Sequence, residues 1–181
     1  NTLTGYSNKR SYRALLVAPS GLRPGIRALI EREVDHAKAG RPAGIVIKNN
    51  AVADLATIKL LYRASQAGVP IDLIVRGVCC LRPGIPGVSD NIEVRSILGR
   101  FLEHSRIFLF GGGGDTVALI GSADMMHRNL DRRVEALLHL VDPRHLADLE
   151  SLMTRGMSDE YMHWKLGADG RWIRHHLDED G

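Results

Sequence analysis

The sequence predicts an α/β domain: a mixed, largely parallel β-sheet flanked by helices. Three observations carry that expectation. Ala43 to Lys48 and Ile71 to Val75 are short β-branched runs, and between them Leu55, Ile58, Leu61, Tyr62 and Ser65 recur at helical spacing. A strand–helix–strand order of this kind implies a parallel pair with a right-handed crossover. Further on, Ile107 to Phe110 and Thr116 to Ile120 are two more apolar runs, separated by Gly111–Gly114 and Asp115, the pattern of a β-hairpin.

Taken in order, residues 1–12 are polar and aperiodic, the character of a linker, and 13–181 form the domain. Ala14 to Ala18 reads as a short strand. Ile26, Leu29, Ile30, Val34 and Ala37 then mark a helix, stopped by Gly40-Arg41-Pro42. On that helix His36 and Lys38 are two apart and face different ways, so His36-Ala37-Lys38 is a solvated helix end. Gly68 closes the second helix. Arg76 follows the strand Ile71–Val75, where active groups gather in such sheets. Arg82 to Gly87 is a turn-rich loop, open to a structural or a binding role. Ile92 to Phe101 is ambiguous between strand and helix, with Arg95 and Arg100 as candidate anion contacts. Arg128, Arg132 and Arg133 face Asp124 and Asp131, which suggests structural ion pairs. Val134 to Val141 has the apolar content of a central strand. Pro143 opens a helix to about Arg155, with Leu146, Leu149, Leu152 and Met153 on one side. Ser158 is placed as the cap of a shorter helix carrying Tyr161, Met162 and Trp164. Ala168 to Trp172 reads as a turn and short strand, and His175-His176 as an ordinary exposed pair.

Composition sets bounds on function. The chain has 181 residues, 44% apolar and 25% charged, an ordinary soluble globular profile with room for one sizeable core. The formal charge of +3 is too small to declare a polyanion partner. The 19 arginines against 5 lysines are more suggestive, because the guanidinium fork fits phosphate, although GC-rich coding gives the same excess. Cys79 and Cys80 are adjacent and staple nothing distant, and no metal-ligand spacing exists. Neither a leader nor a run of 18 apolar residues is seen, so a cytoplasmic protein without a transmembrane segment is expected.

The candidate site lies between Phe101 and Glu135. His104 and Arg106 sit two apart at the head of an apolar run, so on a strand both would point the same way. A hairpin would return Gly121-Ser122-Ala123-Asp124 beside them. A histidine, a guanidinium and a small-residue turn with free N–H groups would then converge, which suits a phosphate. Such a histidine can act as nucleophile or general acid, and the arginine can hold phosphate oxygens. From these residues alone, a histidine that only bonds a neighbour is the plainer reading. The Gly111–Gly114 run lies between strands rather than at a helix start, so it reads as a hairpin loop and not a phosphate cradle.

Three stretches carry a family resemblance: Ile71 to Gly84 (IDLIVRGVCCLRPG), Gly99 to Ile107 (GRFLEHSRI), and Ser122 to Glu135 with its NLDRRVE end. In this order they resemble the C-terminal catalytic half of bacterial polyphosphate kinases of the phospholipase D-related type. The resemblance implies one half of a phospholipase D-like pair. It implies reversible transfer of the terminal phosphate of ATP to polyphosphate, with Mg2+, through a phosphohistidine in a preceding domain that this chain lacks. His104 would be the partner histidine, acting as general acid or base. Arg76 would clamp nucleotide phosphates, and Arg106 would be a second clamp. The metal ligands stay open. ATP or ADP, polyphosphate, the preceding domains and further copies of the chain would be its partners, without nucleic acid. The resemblance also implies a cytoplasmic location that admits peripheral contact with the inner membrane, and an isolated domain that is inactive or nearly so. The phospholipase D relatives place an aspartate five residues after the lysine of His-x-Lys, where this sequence has Gly111. That departure weakens the alternative of a phosphodiesterase. A non-catalytic polyanion-binding module is the other alternative.

Overall fold

A computed structural model describes residues 14–97, 103–111 and 115–175. The expected linker over 1–12, Arg100 and His176 lie outside the described residues. The elements run β1 (Leu15–Val17), α1 (Leu22–Lys38), β2 (Ile45–Asn49), α2 (Leu55–Gln66), β3 (Ile71–Val75), β4 (Ile92–Ser96), β5 (Arg106–Phe110), β6 (Val117–Gly121), α3 (His127–Asp131), β7 (Ala136–Leu140), α4 (Pro143–Gly156), β8 (His163–Leu166) and β9 (Trp172–His175).

The nine strands among the described residues form one sheet in the order β1-β7-β6-β5-β2-β3-β4-β8-β9. The mixed sheet with flanking helices stands as expected, but its parallel share is smaller: two of the eight pairings are parallel, β2 with β3 and β3 with β4. Of the antiparallel pairs, β5–β6 and β8–β9 join strands close in sequence, which a parallel pair does not allow. The parallel centre needs crossovers, supplied by α2 and by the looped segment between β3 and β4.

Alternation along the strands sorts the core onto two faces. Phe108 and Phe110 of β5 are fully buried and join Ile45 and Ile47 of β2 and Leu73 of β3 under α1 and α2. Ile107 and Leu109 point the other way and meet Ile74, Ala118 and Met153 of α4. Each fully buried side chain of this size contributes roughly 1.5–3 kcal/mol of transfer free energy. Both faces are therefore anchored, and the strand ends are held as a rigid rim. Asp54 caps α2 by accepting from the Thr57 amide at 2.9 Å, and Asp142 caps α4. Gly68 ends α2 at a φ of 91°.

Four local expectations change. Residues 158–162 are a turn followed by β8, because the Ser158 hydroxyl accepts from the Glu160 amide at 3.1 Å, a local bond that competes with helix. Trp164 pairs across to Ser96 and Arg174 as a strand residue. β7 is next to the edge rather than central, with Leu138 and Val141 41% and 75% exposed. Leu152 is outside the apolar stripe of α4, where Met153 is the buried residue. Arg95 is buried in ion pairs with Glu93 and Asp159, a structural role in place of an anion contact.

Candidate functional site

The register of the sheet brings four strand ends to one rim. Asn49 stands beside Val75 in the parallel pair, Lys48 beside Ile107 in the antiparallel pair, and Arg106 beside Gly121. The rim therefore collects the ends of β2, β3 and β6 and the start of β5. Bridges from Val52 to Cys79 and to Met125 tie the following loops together. Gly121 is required by this packing, since a Cβ there would lie 2.0 Å from the Ala136 carbonyl oxygen.

His104 lies at this rim, with one change from expectation. β5 begins at Arg106, so His104 precedes the strand and the two side chains do not share a strand face. No ladder holds residues 103–105, and side chains from three strands hold them instead. Arg76, just beyond β3, donates from Nη1 to the Glu103 carbonyl at 3.1 Å. Arg106 donates from Nη1 to the His104 carbonyl at 2.9 Å. Lys48 of β2 pairs with the Glu103 carboxylate and donates to the Ser105 hydroxyl at 2.8 Å. Glu103 in turn accepts from the Ser105 amide at 2.7 Å. Burial works against ionisation of Glu103, but the Lys48 ammonium and the Ser105 amide outweigh it and hold the carboxyl at about 2, below its ordinary 4.5. The imidazole of His104 is left exposed at the end of a fixed main chain.

The two arginines differ in what they have left to give. Arg106 also donates to Asp124 at 3.2 Å and, with the Asn50 amide oxygen facing it, to Asn50 at 2.9 and 3.0 Å. Asp124 is fixed from behind, accepting from the Asn50 amide at 2.7 Å. A guanidinium has five donors in a planar fork, and most of those of Arg106 are committed. Arg76 makes the one side-chain bond named above among the described residues. The small-residue turn has no ready N–H nest: the Ser122, Asp124 and Met125 amides donate to the Ala136 carbonyl, Asn129 and Asn49.

Other candidates fall away from the rim. Gly111 closes the hairpin at the opposite end of β5, and Gly112–Gly114 lie outside the described residues. The Arg82–Gly87 loop is braced by bonds to Ser89 and to the Tyr62 hydroxyl. Asp124 and Asp131 pair with Arg106 and Arg23 rather than with Arg128, Arg132 or Arg133, which are exposed. His36 stays at the end of α1 beside Glu33. His175 is exposed as expected, and its ring also stacks on buried His163 at 4.9 Å.

Asp54, His127 and Asp131 bring ligand atoms within 4.8 Å of one another. They do not fit a resident magnesium, however. Arg23 bridges both aspartates, bonding Asp54 at 2.8 Å and Asp131 at 2.7 Å. Its hydrogen bond, against some burial cost, holds the Asp54 carboxyl at about 2, below 3.8. Glu103 and Asp124 at the rim are likewise engaged by Lys48 and Arg106. A metal would have to displace a protein cation at each.

Lys48, Glu103 and Asn50 are the site residues that sequence reasoning missed, and Asp124, expected there as part of the turn, serves as the carboxylate partner of Arg106. The adjacent Lys48-Asn49-Asn50 at the end of a strand was the available signal, but its partners are 55 or more positions away.

A mixed sheet covered by helices on both faces is the fold seen in a phospholipase D family member. Nuc, a phospholipase D family member from Salmonella typhimurium, shares this fold with a TM-score of 0.55 at 15% identity, over 88% of this chain and 96% of that one. The family model described as Polyphosphate kinase C-terminal domain 2 matches residues 15–180, and the chain belongs to that family. It is 58% identical to the polyphosphate kinase of Streptomyces coelicolor over all of its length and 24% of the relative's. The crystal structure of polyphosphate kinase from Porphyromonas gingivalis superposes with a TM-score of 0.92 at 37% identity, over 99% of this chain and 28% of that one. The chain thus spans about a quarter of the length of the curated relatives it matches. No helix among the described residues is long and apolar enough to cross a membrane.

Proposed function

We propose that the chain is the C-terminal catalytic segment of a polyphosphate kinase, which moves the terminal phosphate of ATP reversibly onto polyphosphate through a phosphohistidine in a preceding domain of the same polypeptide. The observation that carries this is the single rim on which Arg76 and His104 meet, joined through Glu103. Arg76 keeps donors on its fork, so it clamps the nucleotide phosphates as charge shifts between them. His104 is exposed on a braced main chain, and it serves as general acid or base at the transferred phosphoryl group. Arg106 adds a minor phosphate contact, since Asp124 and Asn50 hold most of its donors. Magnesium enters with the nucleotide, as Mg-ATP. Further copies of the chain and a cytoplasmic setting, with peripheral contact at the inner membrane, complete the reading.

The test is elongation of polyphosphate from Mg-ATP. The 181-residue chain alone should elongate nothing measurable. The full-length polypeptide should, and His104→Ala in it should lower the rate by about 10²-fold or more, the size of a lost general acid–base group. A chain that elongates polyphosphate on its own, or a His104→Ala enzyme at full rate, would contradict the reading.

A further inference from the structure

The brace around His104 includes a residue to which neither sequence reasoning nor the family resemblance gives a role. Lys48 is the penultimate residue of β2, and its side chain is 18% exposed against 55% for Glu103. Its ammonium touches the Glu103 carboxylate, the Ser105 hydroxyl at 2.8 Å and the Ser105 carbonyl at 3.5 Å. Those groups lie on both sides of His104 in the chain. Residues 103–105 belong to no strand, so the main chain beneath the imidazole has no ladder to fix it. A half-exposed ion pair by itself contributes little. Here, though, the lysine sits at the end of a central strand and bonds two residues at once, while the Glu103 carboxylate also receives the Ser105 amide at 2.7 Å. The ring Lys48, Glu103, Ser105 closes directly under His104.

We propose that Lys48 is a positioning residue, which holds Glu103 and Ser105 so that the imidazole between them is presented at the rim without touching substrate itself. Arg76 and Arg106 grip the carbonyls of Glu103 and His104 in the same segment, and Lys48 supplies the grip on its side chains. The assignment of a reacting role to His104 rests on the proposed kinase reading. The mechanical claim about residues 103–105 can be measured without nucleotide.

The experiment is backbone NMR relaxation on the 181-residue chain and its variants, with no ligand present. In the wild type, order parameters for residues 103–105 should sit near 0.85, the value of rigid backbone. Lys48→Met should lower them below about 0.6, into the flexible range, and shift the His104 ring resonances. Lys48→Arg, which keeps charge and donors, should restore both. Glu103→Gln breaks the same ring from its exposed side and should act like Lys48→Met, and it decides the matter if Lys48→Met does not fold. Lys165→Met, which removes the 2.8 Å ion pair to Glu93 elsewhere on the sheet, should leave residues 103–105 unmoved. Unchanged order parameters in both Lys48→Met and Glu103→Gln would overturn the proposal. So would an unchanged segment combined with weaker Mg-ATP binding, which would make Lys48 a direct phosphate contact. A mobile segment in a chain that never binds Mg-ATP would keep the positioning role and remove the kinase reading, so the two failures are distinct.

Discussion

Two arginine clusters on the same domain use one side chain in opposite ways. Arg23 is clamped between two carboxylates, Asp54 and Asp131, and joins the starts of α1 and α2 to α3. Arg76 leans on a main-chain carbonyl and meets no carboxylate among the described residues. Charge compensation separates the two roles. A guanidinium neutralised by two acids belongs to the scaffold, whereas one held by a neutral acceptor keeps its charge uncompensated, as the proposed phosphate clamp requires. Arg106 stands between them, sharing Asp124 while holding the His104 carbonyl.

Breaking the scaffold cluster should have the largest effect. Arg23→Ala strips the counterion from Asp54, whose side chain is 5% exposed. It should cost about 3 kcal/mol, the low end for breaking a buried pair because Arg23 is itself 27% exposed. For a domain of this length that lowers the thermal midpoint by roughly 6–12 °C. Arg76→Ala, at a half-buried side chain that makes one bond to a main-chain carbonyl, should change stability by less than about 0.5 kcal/mol. Equal losses in the two variants would erase the comparison.

Acid sharpens it further. The Asp54 carboxyl is held at about 2 against an ordinary 3.8. A depressed folded value means that the stabilisation is present above the ordinary value and is lost as pH falls from about 4 toward 2. The loss should be about 2 kcal/mol from this group, read by urea unfolding across that window, and Arg23→Ala should flatten the curve. Glu103, also held at about 2 but more than half exposed, should add little to the slope because solvent screens its pair.

Much of this architecture was legible. Ile71 to Val75 is β3 to the residue, because a β-branched run between Gly68 and Gly77 admits little else. The hairpin of β5 and β6 followed from two apolar runs around a glycine loop, and Arg76 and His104 do share one rim. Non-local pairing was not legible. The antiparallel join of β2 to β5 sets Lys48 beside residues 103–105, and nothing near Lys48 in sequence announces that. It also brings Asn50 and Arg106 together, so that protein groups hold most of this guanidinium's donors. The error at Ser158 was local: a serine two residues before its bonded amide turns the chain as readily as it caps a helix.

An effect as small as that of Arg76→Ala belongs to an ordinary surface pair. Lys165→Met removes the contact to Glu93 and should cost no more than about 0.5 kcal/mol in urea unfolding. A larger cost would show that the β4–β8 pairing depends on its charges.

The most direct test of the contrast between the clusters is calorimetric titration of Mg-ATP into the 181-residue chain, with Arg76→Ala and His104→Ala beside it. Saturable binding by the wild type that weakens tenfold or more in Arg76→Ala, about 1.4 kcal/mol, and weakens also in His104→Ala, while both variants unfold at the wild-type midpoint, is the predicted result. Binding that survives both substitutions would place the nucleotide elsewhere. Salt-sensitive polyphosphate binding with no uptake of Mg-ATP would make the rim a polyanion surface and contradict the account.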